Sequence, residues 1–318
     1  MNRTRALLGK LGGLLLTLFL ASILIFFSRF LVPGDPVAFL LRGRKPSEEA
    51  VAMVTEQYGL DLPAWQQYFH WLGGLFTGDL GRSLQYRQDV TSVLWDRLPV
   101  TLGLVVISAL LITIFGLLAG VVAALKRGTW VDRTVVTTLT VFGAIPGFVA
   151  AIGLIGFFAV QLGWFPSFGA GEGFWDLVRH LILPSLALAL AYMVLVGKAT
   201  RSAMIDQMSR EHVEVATSRG LTRAQVVSRH VFRNSLGPIL TVSGMLVAGL
   251  LVSSAIIETA FGLSGMGQLL VQSVDRLDFP VVQAISLLVV AAFVVVNAIV
   301  DLLQPLIDPR SAAGAGAR

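Results

Sequence analysis

The chain has 318 residues, 55% of them hydrophobic and 14% charged, with a formal net charge of +5 and a mean hydropathy of +0.78, whereas soluble domains carry about 25% charged residues. This excludes disorder, collagen-like repeats and a water-soluble composition, and the absence of cysteine excludes disulfides, thiolate metal sites, iron–sulfur clusters and cysteine nucleophiles. A pI near 10.0 would suit nucleic acid, but in a membrane chain basic residues mark the loops kept inside, so their placement decides.

Leu11 to Val32 is the first apolar run, preceded by Arg3, Arg5 and Lys10. It is too long for the core of a signal peptide, and no small-x-small site separates it cleanly from Val32-Pro33-Gly34-Asp35-Pro36. It is therefore expected to be an uncleaved first span, making residues 1–32 the N-terminus and first helix. Residues 33–99 form a long polar segment, read as an extracytoplasmic helical insert. Ser47 is placed to start a helix that runs to Tyr58 and stops at Gly59. A second helix is expected after Pro63, with Trp65, Tyr68, Phe69, Trp71 and Leu72 on or near one side. Those aromatics either anchor the insert at headgroup level or face an extracytoplasmic partner.

Five more runs match the thickness of a bilayer, at about Val100 to Leu125, Thr134 to Leu162, Leu181 to Ala203, Pro238 to Ile257 and Val281 to Val300. The expected fold is thus an all-α integral membrane protein with six transmembrane helices. Residues 100–310 form the core domain and residues 311–318 a flexible tail. The segments on the N-terminal side hold 15 of the 24 Lys and Arg, while residues 33–99 carry six basic residues against eight acidic ones. This bias puts both termini in the cytoplasm. It also removes the case for nucleic acid, because the basic residues are spread over every inside loop and not gathered on one soluble face.

The second, third, fifth and sixth runs hold no ionisable residue, and Lys198 sits near the inner end of the fourth. Ion-driven carriers bury carboxylates or histidines at mid-membrane to bind the coupling ion, so the driving energy is expected from elsewhere. Gly116, Gly120, Gly143, Pro146, Gly147, Gly153, Gly156, Gly244 and Gly249 permit close helix packing and kinks.

The inner loop at 204–237 reads as two short helices separated by one glycine. Val213 and Ala216 share a face, Gly220 ends the first helix, and Thr222 with Gln225 forms a capping box for the second, with Leu221 and Val226 as a hydrophobic staple. Arg219, Arg223, Arg229 and Arg233 surround the turn. Such a stiff element suits docking or force transmission. The alternative is a basic amphipathic segment resting on anionic headgroups.

Here the sequence resembles the permease subunits of ATP-binding-cassette importers, whose cytoplasmic signature is Glu-Ala-Ala, three residues, then Gly. It stands as Glu214-Val215-Ala216-Thr217-Ser218-Arg219-Gly220, departing at Val215. The run His230-Val231-Phe232-Arg233-Asn234, Pro33-Gly34-Asp35-Pro36, Gly78-Asp79-Leu80-Gly81-Arg82-Ser83, Leu183-Pro184 opening the fourth span, Glu258-Thr259-Ala260-Phe261 with Gly265-Met266-Gly267, and Asp308-Pro309-Arg310 are similar to the dipeptide and oligopeptide branch. The resemblance spans essentially the whole chain. It implies the type I importer permease fold and a bacterial inner-membrane location. It also implies an assembly with a second, related permease, two ATP-binding subunits, an extracytoplasmic solute-binding protein and a peptide cargo. Nickel chelates, glutathione or opines are alternative cargoes within the branch. ATP and magnesium would be bound by the partner subunits, with no cofactor in this chain. Glu214, Ala216 and Gly220, with Arg219 and Leu221 beside them, carry over as the ATPase-coupling element.

Rival chemistries find no support in the residues. The nearest approach to a P-loop, Gly197-Lys198-Ala199-Thr200, has Tyr192 at its first position and Ala199 after the lysine. Gly262-Leu263-Ser264-Gly265 mimics an intramembrane serine-protease motif, but no histidine follows His230 to act as base. His70, His180, His212 and His230 lack metal-binding spacing. Glu258, at the outer end of the fifth span, is a candidate for the extracytoplasmic mouth, and the plainer expectation is a membrane-edge carboxylate that reaches water.

Overall fold

The computed structural model describes residues 3–31, 55 and 61–307. The helix expected from Ser47 to Tyr58, the Pro33-Gly34-Asp35-Pro36 turn and the Asp308-Pro309-Arg310 end lie outside them. Among the described residues the regular structure is helical, apart from one isolated bridge between Arg82 and Asp89.

The chain divides into two units, residues 1–99 with 268–294 and residues 100–267 with 295–318. In the first, α1 (Arg3–Ser28) ends in a 3₁₀ turn at Arg29–Leu31. Helix α2 (Ala64–Thr77) starts after Pro63 and ends where Gly78 takes φ +81°, a left-handed conformation that glycine adopts without steric cost. The expected aromatic side of α2 is split. Tyr68 is buried, its ring 5.4 Å from that of Phe26 on α1 and its hydroxyl 2.9 Å from Ser22 Oγ, whereas Trp65 and Phe69 stay exposed.

Helix α3 (Val90–Leu125) begins ten residues before the apolar run and carries Pro99 inside it. In the second unit follow α4 (Trp130–Ala144) and α5 (Gly147–Leu154), the latter continued by a π-helical turn at Ile155–Gln161. The expected span from Thr134 to Leu162 is made of two helices and not one: α4 and α5 are bent by 98° at the break. Pro146 lacks an N–H and restricts the residue before it to extended backbone, and Ile145 indeed has ψ 122°. Hydropathy counts apolar residues and is blind to such a change of direction.

Helix α6 (Phe174–Met208) holds Pro184 in its interior, so Leu183-Pro184 lies within this helix and does not open it. Helices α7 (Glu211–Ser218) and α8 (Arg223–Val226) follow; α8 passes through a π turn at Val227–Phe232 straight into α9 (Arg233–Ala260). The second short helix is therefore the root of the next long one and not a separate piece. Helices α10 (Met266–Asp275) and α11 (Phe279–Ile307) are the last among the described residues. Among the described residues, four helices are long and apolar enough to cross a membrane, and the two bent pairs raise this to six if each is one span.

The core of the second unit is built from Leu104, Leu181, Leu188, Val196, Leu250, Ile257 and their neighbours. Small residues let backbones approach there. A Cβ on Gly120 would come 2.5 Å from the Gly197 carbonyl oxygen, and one on Gly116 3.0 Å from Val196. A Cβ on Gly153 or Gly156 would meet nothing within 4 Å among the described residues.

Candidate functional site

The loop between α6 and α9 is closed by local hydrogen bonds. Gly220 has φ +82°, its N–H donates to the Thr217 carbonyl at 3.0 Å, and the Leu221 N–H donates to Ala216 at 3.3 Å. These are the two bonds of a Schellman ending, completed by apolar contact across the turn. The next helix opens on a capping box. Thr222 Oγ1 accepts from the Gln225 N–H at 3.4 Å, and Gln225 Oε1 accepts from the Thr222 N–H at 3.0 Å.

Beneath the turn lies an apolar patch. Ala216, Val226 and Val231 are buried with Ala124 of α3 and Met204 of α6, and Val213, Leu221 and Phe232 pack around them. Polar ties surround it. Asn234 Nδ2 lies 3.2 Å from His212 Nε2, joining the start of α9 to α7, and Arg223 donates to the Leu125 carbonyl at the end of α3 at 3.5 Å. Arg201 of α6 grips Asp132 of α4 through Nε at 2.7 Å and Nη2 at 2.8 Å, while the Gly128 N–H donates to the same carboxylate at 3.0 Å. A two-pronged guanidinium–carboxylate pair fixes orientation as well as distance.

The five residues singled out from the sequence therefore fall into distinct places. Glu214 and Arg219 are exposed. Ala216 is on the underside, 4% exposed, Leu221 is half-buried, and Gly220 makes the turn. Val215, the departure from the signature, stands 49% exposed, so its extra methyl groups lie on the outward face and not in the packing of α7. What the arrangement offers is an 8-residue helix seated on the ends of three long helices, with a charged outer face.

The family model described as binding-protein-dependent transport system inner membrane component matches residues 116–312. The chain belongs to this family. The model of the family's N-terminal region matches residues 3–105. The glutathione transport system permease protein GsiC of Escherichia coli O6:H1 is 36% identical over 300 residues, covering 94% of this chain and 96% of its own. The protein of the same name from Shigella flexneri serotype 5b matches at the same identity and coverage. Among solved structures, the MetNI methionine ABC transporter in an inward-facing conformation superposes with a TM-score of 0.55 at 18% identity, over 68% of this chain and 96% of that one. An amino acid ABC transporter gives 0.53 at 18% identity, over 67% and 94%. At such identities the structural likeness speaks for the fold, that of an ABC importer permease. Membership makes the chain a multi-pass inner-membrane permease subunit, the transport component rather than the ATPase. It implies ATP-binding subunits and a binding protein as partners.

Glu258 departs from expectation. Its side chain is 0% exposed. Thr101 Oγ1 donates to Glu258 Oε1 at 2.7 Å and itself accepts from the Met266 N–H at 2.8 Å, while the Leu263 N–H donates to the Glu258 carbonyl at 2.8 Å. The carboxylate does not reach water because Gly265 lays bare backbone over it; a Cβ there would overlap the carboxyl group. This permease thus uses Glu258 as a buried staple among α3, α9 and the start of α10. Sequence reading passed over the Asp132–Arg201 pair, whose members stand 69 residues apart. The only local hint was an acid in the first turn of α4.

Proposed function

We propose that this chain forms half of the translocation pathway of an ATP-driven importer of small peptides, and that residues 204–237 seat in a groove of an ATP-binding subunit. The observation that supports this best is α7 itself: a short helix pinned by a Schellman turn, a capping box and an apolar underside, with Glu214, Val215 and Arg219 left outward. Because α8 runs without a break into α9, a push on the loop reaches a long helix directly. Gly220 and Leu221 set the angle of α7, Ala216 holds it down, and Glu214 and Arg219 meet the partner.

The assembly contains a second, related permease, two ATP-binding subunits that hold ATP and magnesium, and an extracytoplasmic solute-binding protein. Both termini and the 204–237 loop lie in the cytoplasm, following the distribution of basic residues. Glutathione, a tripeptide, is the first cargo to test, given the names of the relatives.

The deciding experiment is Glu214→Lys in the assembled complex in proteoliposomes. Insertion should be unchanged, while ATP-dependent uptake of labelled glutathione or dipeptide falls at least tenfold and ATP hydrolysis no longer responds to the binding protein. Unaltered uptake would remove the loop from the coupling role.

A further inference from the structure

Within the first unit, residues 78–89 form a compact segment that holds itself together. The Ser83 N–H donates to the Gln88 carbonyl at 2.9 Å, the Arg87 N–H to Ser83 at 3.0 Å and the Val90 N–H to Gly81 at 2.9 Å. Arg82 Nη2 donates to the Arg87 carbonyl at 2.9 Å, and the Gly81 N–H donates to Asp79 Oδ1 at 2.8 Å. Its attachment to the turn between α10 and α11 is concentrated on one group. The fully buried carboxylate of Asp278 accepts from Ser83 Oγ at 2.5 Å and from the N–H groups of Leu84 at 3.1 Å and Gln85 at 3.2 Å. Tyr86 O–H to Gln272 Oε1, at 3.5 Å, adds a weak second tie.

The same junction collects the local costs. Arg87 on one side and Leu277 on the other have φ of +56° and +55°, and they are the non-glycine residues with positive φ among those described. A side chain with a Cβ is strained there. Gln85 Oε1 and Ser273 Oγ are buried and find no hydrogen-bond partner among the described residues, an arrangement that costs free energy. Segment 78–89 is thus tied to α2 by the Asp79 N–H, which donates to the Gly74 carbonyl at 2.9 Å, and to the strained turn before α11 chiefly by one carboxylate.

We propose that Asp278 is the receptor of a releasable latch: segment 78–89 leaves the carboxylate and rebinds during the transport cycle, making Asp278 a positioning residue for transport. This rests on the importer reading for its link to transport, but the latch can be tested separately. In the full chain in lipid nanodiscs, Asp278→Asn should speed amide hydrogen exchange at Leu84 and Gln85 at least tenfold with helix content unchanged, and Ser83→Ala should do so more weakly. Unchanged exchange in both variants overturns the latch, whatever the cargo.

Release is tested by locking. A Cβ on Gly81 would lie 3.7 Å from Pro280 Cβ, close to the ~3.8 Å mean spacing of a disulfide, and the chain has no cysteine of its own; because Gly81 has φ +82°, the cysteine carries the cost of a Cβ in the left-handed region, and the reduced double variant is therefore the reference rate. In the assembled complex, the oxidised pair Gly81→Cys with Pro280→Cys should lower ATP-dependent glutathione uptake at least tenfold, and reductant should restore it. Equal rates in oxidised and reduced forms would show that the segment never needs to move, and would overturn the proposal. The unsubstituted complex is assayed alongside: absence of glutathione and dipeptide uptake there counts against the cargo assignment, while the exchange experiment still decides the latch.

Discussion

Gly220 stands at the turn between α7 and α8 and Gly267 in the first turn of α10, and the two need to be glycine for opposite reasons. At Gly220 nothing lies within 4 Å of where a Cβ would stand, but φ is +82°. What is required is a backbone conformation. At Gly267 a Cβ would come 2.5 Å from Ala255 Cα and 2.8 Å from its nitrogen, so what is required is space against the backbone of α9. The first turn presents exposed side chains above a small apolar patch. The second closes over a buried carboxylate bonded to Thr101. Function should therefore be separable from folding at the loop around Gly220 and inseparable from it at the turn around Glu258.

The largest effect is expected at the buried turn. Gly267→Val sets a branched side chain against main-chain atoms that cannot swing away, and overpacking of this kind costs about 3 kcal/mol or more. A denaturant titration in detergent should show that loss, with uptake falling in parallel; near-normal stability would break the distinction between the two turns. Thr101→Val comes next. It keeps the shape of the side chain but removes a hydroxyl that donates to Glu258 and accepts from Met266. Leaving buried polar groups unpaired costs about 2 kcal/mol. Thr101→Ser should restore most of it, which would separate the hydrogen bonds from the packing of the methyl group.

The same contrast governs how much could be read from the sequence. The loop at 204–237 was legible because its devices are local. The members of a capping box, Thr222 and Gln225, stand three positions apart, and a Schellman glycine acts on its own turn, so both show up as residue spacing. The spans were legible as composition. The buried turn was not, since Glu258 at the end of an apolar run looks like a group meeting water until Gly265 is seen to lie across it. Nor were Asp278 with Ser83, 195 positions apart, or Arg201 with Asp132, because single residues at such separations leave no periodic trace. The break at Pro146 falls between: the proline was visible, but a proline inside an apolar run also fits a mild kink, as Pro184 does within α6. Which outcome holds depends on what packs alongside.

The smallest stability effect, and the sharpest functional one, is expected at Gly220. Gly220→Ala should cost only about 1 kcal/mol, the penalty for a Cβ in the left-handed region, because no neighbour obstructs the added methyl group. To escape that penalty the chain must rotate about Gly220, and α7 would then lift from Ala124 and Met204 and change the angle at which Glu214 and Arg219 are presented. Uptake should thus fall at least as far as in Thr101→Val, although the protein is more stable than that variant. Gly220→Asn is the control, since asparagine enters the left-handed region more readily than alanine, and it should recover transport in proportion to the recovered turn. If uptake follows stability alone across Gly267→Val, Thr101→Val, Gly220→Ala and Gly220→Asn, the loop has no role beyond holding the fold; if the two Gly220 variants fall off that line, the orientation of α7 is what transport reads.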